Sequence, residues 1–128
     1  MRLLLDTHTL LWWSEGSERL SRRAQAAIGA EENDVFVSAV SAMEIATKFR
    51  LGKLEGARRW AVGFEAELQA EGFGSLPISI NHGRMAGSLP NPHKDPFDRL
   101  LFAQALLEGM ALVSNDTVFD SFGAQRVW

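Results

Sequence analysis

The sequence predicts an α/β domain, a three-layer α/β/α sandwich around a five-stranded parallel sheet. Short apolar runs rich in leucine, valine and isoleucine alternate with longer stretches of helical period, the pattern of strands joined through helices. Such connections make neighbouring strands parallel, and right-handed crossovers then put helices on both faces. With 128 residues and 46% hydrophobic composition, the chain suffices for one core but not for two, so residues 1–128 are expected to form a single domain.

The strands are expected at Arg2–Leu5, Val35–Val37 with Ser38 at its end, Leu76–Ile78, Ala111–Val113 and Gln125–Val127. Between them Leu10–Trp13, Ser21–Ala30, Ala42–Leu51, Arg58–Ala70, His82–Leu89 and Pro96–Leu107 read as helices, several with apolar residues three or four apart. Gly52 and Gly56 punctuate two helices, and Leu89–Pro96 places three prolines in a loop before the next one. Neither stretch has the length of a domain linker.

Absence of cysteine excludes disulfides, zinc–thiolate sites and thiol nucleophiles, and it fits a reducing compartment, so cytoplasmic residence is expected. The N-terminal apolar run meets Asp6 at once, giving neither a secretion signal nor a stretch of membrane length. A net charge of −3 argues against a wholly basic surface, though a local basic strip can still attract nucleic acid.

In a parallel sheet, helix N-termini gather along the edge where the strands end, and ligands bind there. Asp6 directly follows the first strand, Asp116 follows the fourth by a short step, Glu44 lies after the second, and Asp98 opens the helix before the fourth. Four acids from distant positions thus map to one edge. Asp34 precedes its strand and belongs at the opposite end, which makes it a control. Each acid also has a capping explanation: Ser41-Ala-Met-Glu44 spells a capping box, Asp95-Pro96-Phe97-Asp98 spells an N-cap before a proline, and Asp6 and Asp116 can cap in the same way. Capping does not account for all four sharing an edge.

Helix termini offer about half a positive charge each, too little to offset four nearby anions. Either some carboxylates take up protons, or a hard divalent cation sits among them. Oxygen-only ligands favour Mg²⁺ or Mn²⁺ over zinc, and phosphodiester hydrolysis with a metal-activated water is the natural chemistry.

The segments Leu-Leu-Leu-Asp6-Thr7-His8, Val-Ser38-Ala-Val-Ser41-Ala-Met-Glu44-Ile, His93-Lys-Asp95-Pro-Phe-Asp98-Arg99-Leu-Leu and Val113-Ser-Asn-Asp116-Thr-Val-Phe119 resemble, in this order and spacing, the PIN-domain family, most closely its VapC-type toxins. The resemblance implies an endoribonuclease dependent on Mg²⁺ or Mn²⁺, with acids at the positions of Asp6, Glu44, Asp98 and Asp116. It also implies a homodimer, an RNA substrate and a cognate antitoxin. Ser114 stands where the family often carries threonine, and its hydroxyl can still support Asp116. Thr7, Asp95, Ser114 and Arg99 are the accessory candidates. Asp95 acts either through water or as an N-cap, and Arg99, with Lys94, either holds a phosphate or forms a salt bridge.

His8, His82 and His93 are candidate proton carriers by residue type. Lys48, Arg50, Lys53, Arg58 and Arg59 form a basic run that suits an RNA backbone or an acidic antitoxin tail, or simply a solvated helix face. Trp60, Phe64 and Leu68 recur at helical spacing and read first as core, and part of the Leu10–Trp13 run faces either the core or a partner. Two other functions stay in view. A receiver-like signalling module also gathers acids at such an edge but needs a phosphoacceptor ending a central strand, and a nuclease-dead PIN-like module would only bind RNA or protein.

Overall fold

The computed structural model describes residues 1–54 and 56–128. Five strands form one sheet, β1 (Arg2–Leu5), β2 (Asp34–Ser38), β3 (Gly74–Leu76), β4 (Ala111–Val113) and β5 (Arg126–Val127), in the order β3-β2-β1-β4-β5 with every pair parallel. Seven helices among the described residues connect them: α1 (Thr7–Glu15), α2 (Arg22–Gly29), α3 (Ala39–Arg50), α4 (Arg58–Glu71), α5 (Ile80–Ser88), α6 (Pro96–Glu108) and α7 (Val118–Ser121). None is long and apolar enough to cross a membrane.

The strand period of two divides the core into two layers. Leu3, Leu5, Val35, Val37, Ala111 and Val113 face one side, where α1, α2 and α4 contribute Leu10, Ile28 and Trp60. Leu4 and Leu112 face the other and pack with Leu101, Phe102 and Ala105 of α6 and Phe119 of α7. Strands buried on both faces read as continuous apolar runs, which is why β1 and β4 stand out in the sequence. Trp60 and Leu68 are core residues, as their spacing predicts.

Several boundaries differ from the sequence reading, among them the start of α5, which lies at Ile80 and not His82 because Ser79 caps it, and three more show their cause plainly. Helix α1 begins at Thr7 rather than Leu10, because Asp6 caps it by accepting the Thr9 N–H at 2.8 Å, and its first turn is polar and lacks the apolar signal. Helix α3 begins at Ala39 rather than Ala42, capped by Ser38, whose hydroxyl accepts the Val40 N–H at 2.9 Å. Ser41 and Glu44 therefore lie inside the helix, and the capping-box assignment of that segment is wrong. The third strand lies two residues early, at Gly74–Leu76. Pro77 has no N–H to offer a ladder, and Ile78 is 43% exposed. The single turn of α7 is too short to show a period.

Gly74 illustrates a side chain excluded by a neighbour: a Cβ there would meet the Phe36 ring at 2.8 Å. Gly74→Ala is expected to lower the unfolding free energy by about 1–3 kcal/mol in chemical denaturation. Gly83, exposed inside α5 with nothing near its missing Cβ, should respond oppositely, Gly83→Ala adding about 0.5–1 kcal/mol.

Candidate functional site

The winding of the chain reverses between β1 and β4: β2 and β3 are laid down on one side of β1, then α5 and α6 carry the chain across to β4 and β5 on the other. Diverging connections leave a crevice at the carboxyl ends of the strands at such a switch point. Asp6 leaves β1 there, and its backbone N–H bonds the Val113 carbonyl of β4 at 3.2 Å, so both strands end at one level.

Asp6 is buried and held from both sides. One oxygen accepts the Thr9 N–H, and the other accepts the hydroxyl of Ser114, which in turn accepts the Asp116 N–H at 3.0 Å. Ser114 thus ties the first acid to the fourth. Thr7, next along the chain, donates its hydroxyl to Glu44 Oε1 at 2.6 Å and lies 3.0 Å from the Ser41 hydroxyl. A half-buried Lys48 caps the other Glu44 oxygen at 2.5 Å. Asp98, in the first turn of α6, meets His93 Nε2 at 2.8 Å and lies near enough to Asp116 to feel its charge. Asp116 is exposed and accepts the Val118 N–H at 3.0 Å, an Asx turn that starts α7.

Ser114 thus links Asp6 to Asp116, Asp98 feels the charge of Asp116, and Glu44 is reached from Asp6 only through the adjacent Thr7; among the described residues the acids and histidines close enough to share one ion are His93, Asp95 and Asp98. Asp34 opens β2 opposite Arg2, at the other end of β1, roughly 13 Å of strand away. Burial pushes the Asp6 carboxyl above its ordinary value, outweighing the hydrogen bonds from Ser114 and Thr9 and the charge of His8. Asp98 is raised in the same sense, by burial first and then by the charges of Asp95 and Asp116, against the hydrogen bond from His93. At Asp98 neighbouring carboxylates add to the effect of burial, whereas at Asp6 burial alone raises the pKa. All its donors are oxygens except the His93 ring, whose nitrogen gathers with Asp95 and Asp98 oxygens within 4.8 Å of one another. A hard cation fits such a donor set.

Among the accessory candidates, Thr7 and Ser114 touch the acids directly. Asp95 is the N-cap of α6, accepting the Phe97 N–H at 2.9 Å. Arg99 is not available to a phosphate in the manner expected from its sequence position, nor does it form a salt bridge among the described residues: its side chain turns to four backbone carbonyls. The basic run is partly spoken for, Lys48 by Glu44 and Arg59 by Glu67 at 3.1 Å. His82 is buried, its Nδ1 accepting the Ser79 N–H at 2.9 Å in a capping box of α5, and takes no part in the crevice. The pairing of His93 with Asp98 was missed, although its signal is present: five residues span a proline-rich loop and the first helical turn, a distance a side chain can fold back across.

Fold and site together define a class, a parallel α/β domain with an acidic crevice at its topological switch point. The chain belongs to the PIN domain family, which it matches over residues 3–125. It is similar to Ribonuclease VapC22 of Mycobacterium tuberculosis, with 32% identity over 117 residues that cover 89% of this chain and 86% of that protein. Among solved structures, a toxin–antitoxin complex from Klebsiella pneumoniae superposes with a TM-score of 0.69 at 20% identity, covering 98% of this chain and 96% of that one. VapC20 of Mycobacterium tuberculosis, described as a sarcin–ricin loop cleaving toxin, gives 0.69 at 13% identity, with 95% of each chain covered. At those identities the two structures speak to the fold.

Proposed function

We propose that this chain is a metal-dependent endoribonuclease, a single nuclease domain over residues 1–128, and the toxin of a toxin–antitoxin pair. The observation that carries this reading is the Ser114 bridge from Asp6 to Asp116 at the switch point, with Asp98 near enough to Asp116 to feel its charge and Glu44 held by Thr7 beside Asp6. Kinship with a protein named a ribonuclease supports RNA as substrate, and likeness of fold to a toxin–antitoxin complex supports an antitoxin partner. The homodimer and the cytoplasmic site of action belong to the same reading.

Asp6, Glu44, Asp98 and Asp116 would hold Mg²⁺ or Mn²⁺, which when bound supplies Lewis-acid activation of water and neutralises charge at the phosphate. The remaining work falls to the chain itself. Thr7 and Ser114 fix the carboxylates of Glu44 and Asp6 by donating hydroxyl hydrogens, leaving lone pairs free for a cation. The positive ends of α1 and α6 lower the cost of keeping Asp6 and Asp98 ionised. Lys48, anchored on Glu44, places a cation at the rim where a phosphate would approach.

Purified protein incubated with single-stranded RNA should cleave it in Mg²⁺ or Mn²⁺, and chelation with EDTA should stop the reaction. RNA that is bound but left intact in both metals would instead make the chain a nuclease-dead PIN-like module.

A further inference from the structure

The Arg99 guanidinium sits one residue beyond Asp98 and donates four hydrogen bonds to backbone carbonyls. Nε reaches Ala86 O at 2.9 Å, one NH group reaches Asn91 O at 2.7 Å and His93 O at 2.9 Å, and the other reaches Leu89 O at 2.7 Å. Ala86 lies in the last turn of α5, whose terminal carbonyls have no intrahelical donors and whose dipole favours a cation. Pro90 and Pro92 have no N–H, so the connecting loop has few donors of its own. One side chain therefore gathers the end of α5, the loop and the start of α6.

Within that loop the His93 N–H bonds Asn91 Oδ1 at 2.8 Å, and the His93 ring stands edge-on to Phe122 at 6.0 Å while its Nε2 meets Asp98. Asn91 also reaches the Ser121 hydroxyl at 3.1 Å, tying the loop to the segment that follows Asp116. Four of the five guanidinium N–H donors are used, which leaves no fork for a phosphate.

We propose that Arg99 is a positioning residue: it fixes the loop between α5 and α6 so that His93 orients the Asp98 carboxylate toward a bound cation. This rests on the assignment of Asp98 to the metal site. Lysine cannot substitute, since one ammonium with three donors cannot span carbonyls that the planar fork reaches together.

The test is Mn²⁺ affinity by calorimetry, together with kcat and KM for RNA. Arg99→Ala and Arg99→Lys should each bind Mn²⁺ about 10–100-fold more weakly and lose kcat, with KM unchanged. His93→Phe, which keeps the ring packed against Phe122, should weaken Mn²⁺ binding in the same direction, and Asn91→Ala, which loosens the loop without removing a group that could meet the cation, supplies the measurement should the Arg99 variants not fold. Asp98→Ala separates the two ideas. If it binds Mn²⁺ like the wild type, the metal-site assignment fails. If it loses Mn²⁺ while Arg99→Lys, Asn91→Ala or His93→Phe retains wild-type affinity, only the positioning role fails. A raised KM in Arg99→Ala, restored by Arg99→Lys, would mean a phosphate contact and overturn the proposal.

Discussion

Asp6→Asn should abolish metal-dependent RNA cleavage, by more than the roughly 100-fold that losing an outer ligand partner costs, and yet raise the stability of the metal-free protein. Asparagine keeps the shape and can still accept the Thr9 N–H that caps α1. What it removes is a charge whose burial lifts the Asp6 pKa in the folded state, together with the oxygen that accepts the Ser114 hydroxyl, in whose place an NH2 group donates to Ser114 Oγ. A carboxyl with a raised folded pKa binds its proton more tightly folded than unfolded, so its contribution is fully present below the unfolded value, near 3.8, and is lost as pH rises through the folded pKa. In EDTA the advantage of Asp6→Asn over the wild type should therefore be absent in acid and open toward neutrality, seen as a higher melting temperature for the variant at pH 7. Mg²⁺ should reverse the order. A ligand at one hundred times its Kd stabilises the wild type by about 2.7 kcal/mol, whereas the variant gains little. Melting curves at pH 4 and pH 7, with and without Mg²⁺, decide it, and a variant less stable than the wild type in EDTA at pH 7 would remove the case for an uncompensated charge.

Phe119→Ala should cost about 3–5 kcal/mol. Helix α7 is a single turn that cannot hold itself, and its place is set by Phe119, wholly buried against the core that Leu112 and Phe102 build. Asp116 accepts the N–H of Val118 immediately before it, so a loosened turn frees the acid as well. The variant should lose RNA cleavage beyond what its unfolded fraction explains, while Phe119→Leu keeps most of both properties. Urea titration measures the first effect, and activity at a temperature where the variant is fully folded measures the second. Unchanged activity there would show that Asp116 does not depend on α7.

The fold was largely legible because β1 and β4 are buried on both faces and so carry unbroken apolar runs, while α4 and α6 show helical period. The misread boundaries share one cause. Ser38, Asp6 and Pro77 decide where elements begin or end through single polar contacts or a missing donor, and hydrophobic period is blind to those. The same holds for α7, which tertiary packing alone maintains.

The edge at which the four acids lie could be read from the sequence because a position just after a parallel strand, or in a following helix near its start, already implies a place at the carboxyl end of the sheet. Asp34 before its strand implied the reverse. Strand order was beyond that reasoning. That β4 lies beside β1, so that Ser114 can join Asp6 to Asp116, follows from where the crossover through α5 and α6 finds an uncovered sheet edge. Likewise, the turning of Arg99 away from substrate and onto the loop, and the removal of Glu44 from a cap to a partner of Thr7, depend on which donors and acceptors burial leaves unpaired. Local pattern sets which residues meet the edge, and only the packed chain sets which of their atoms are already committed.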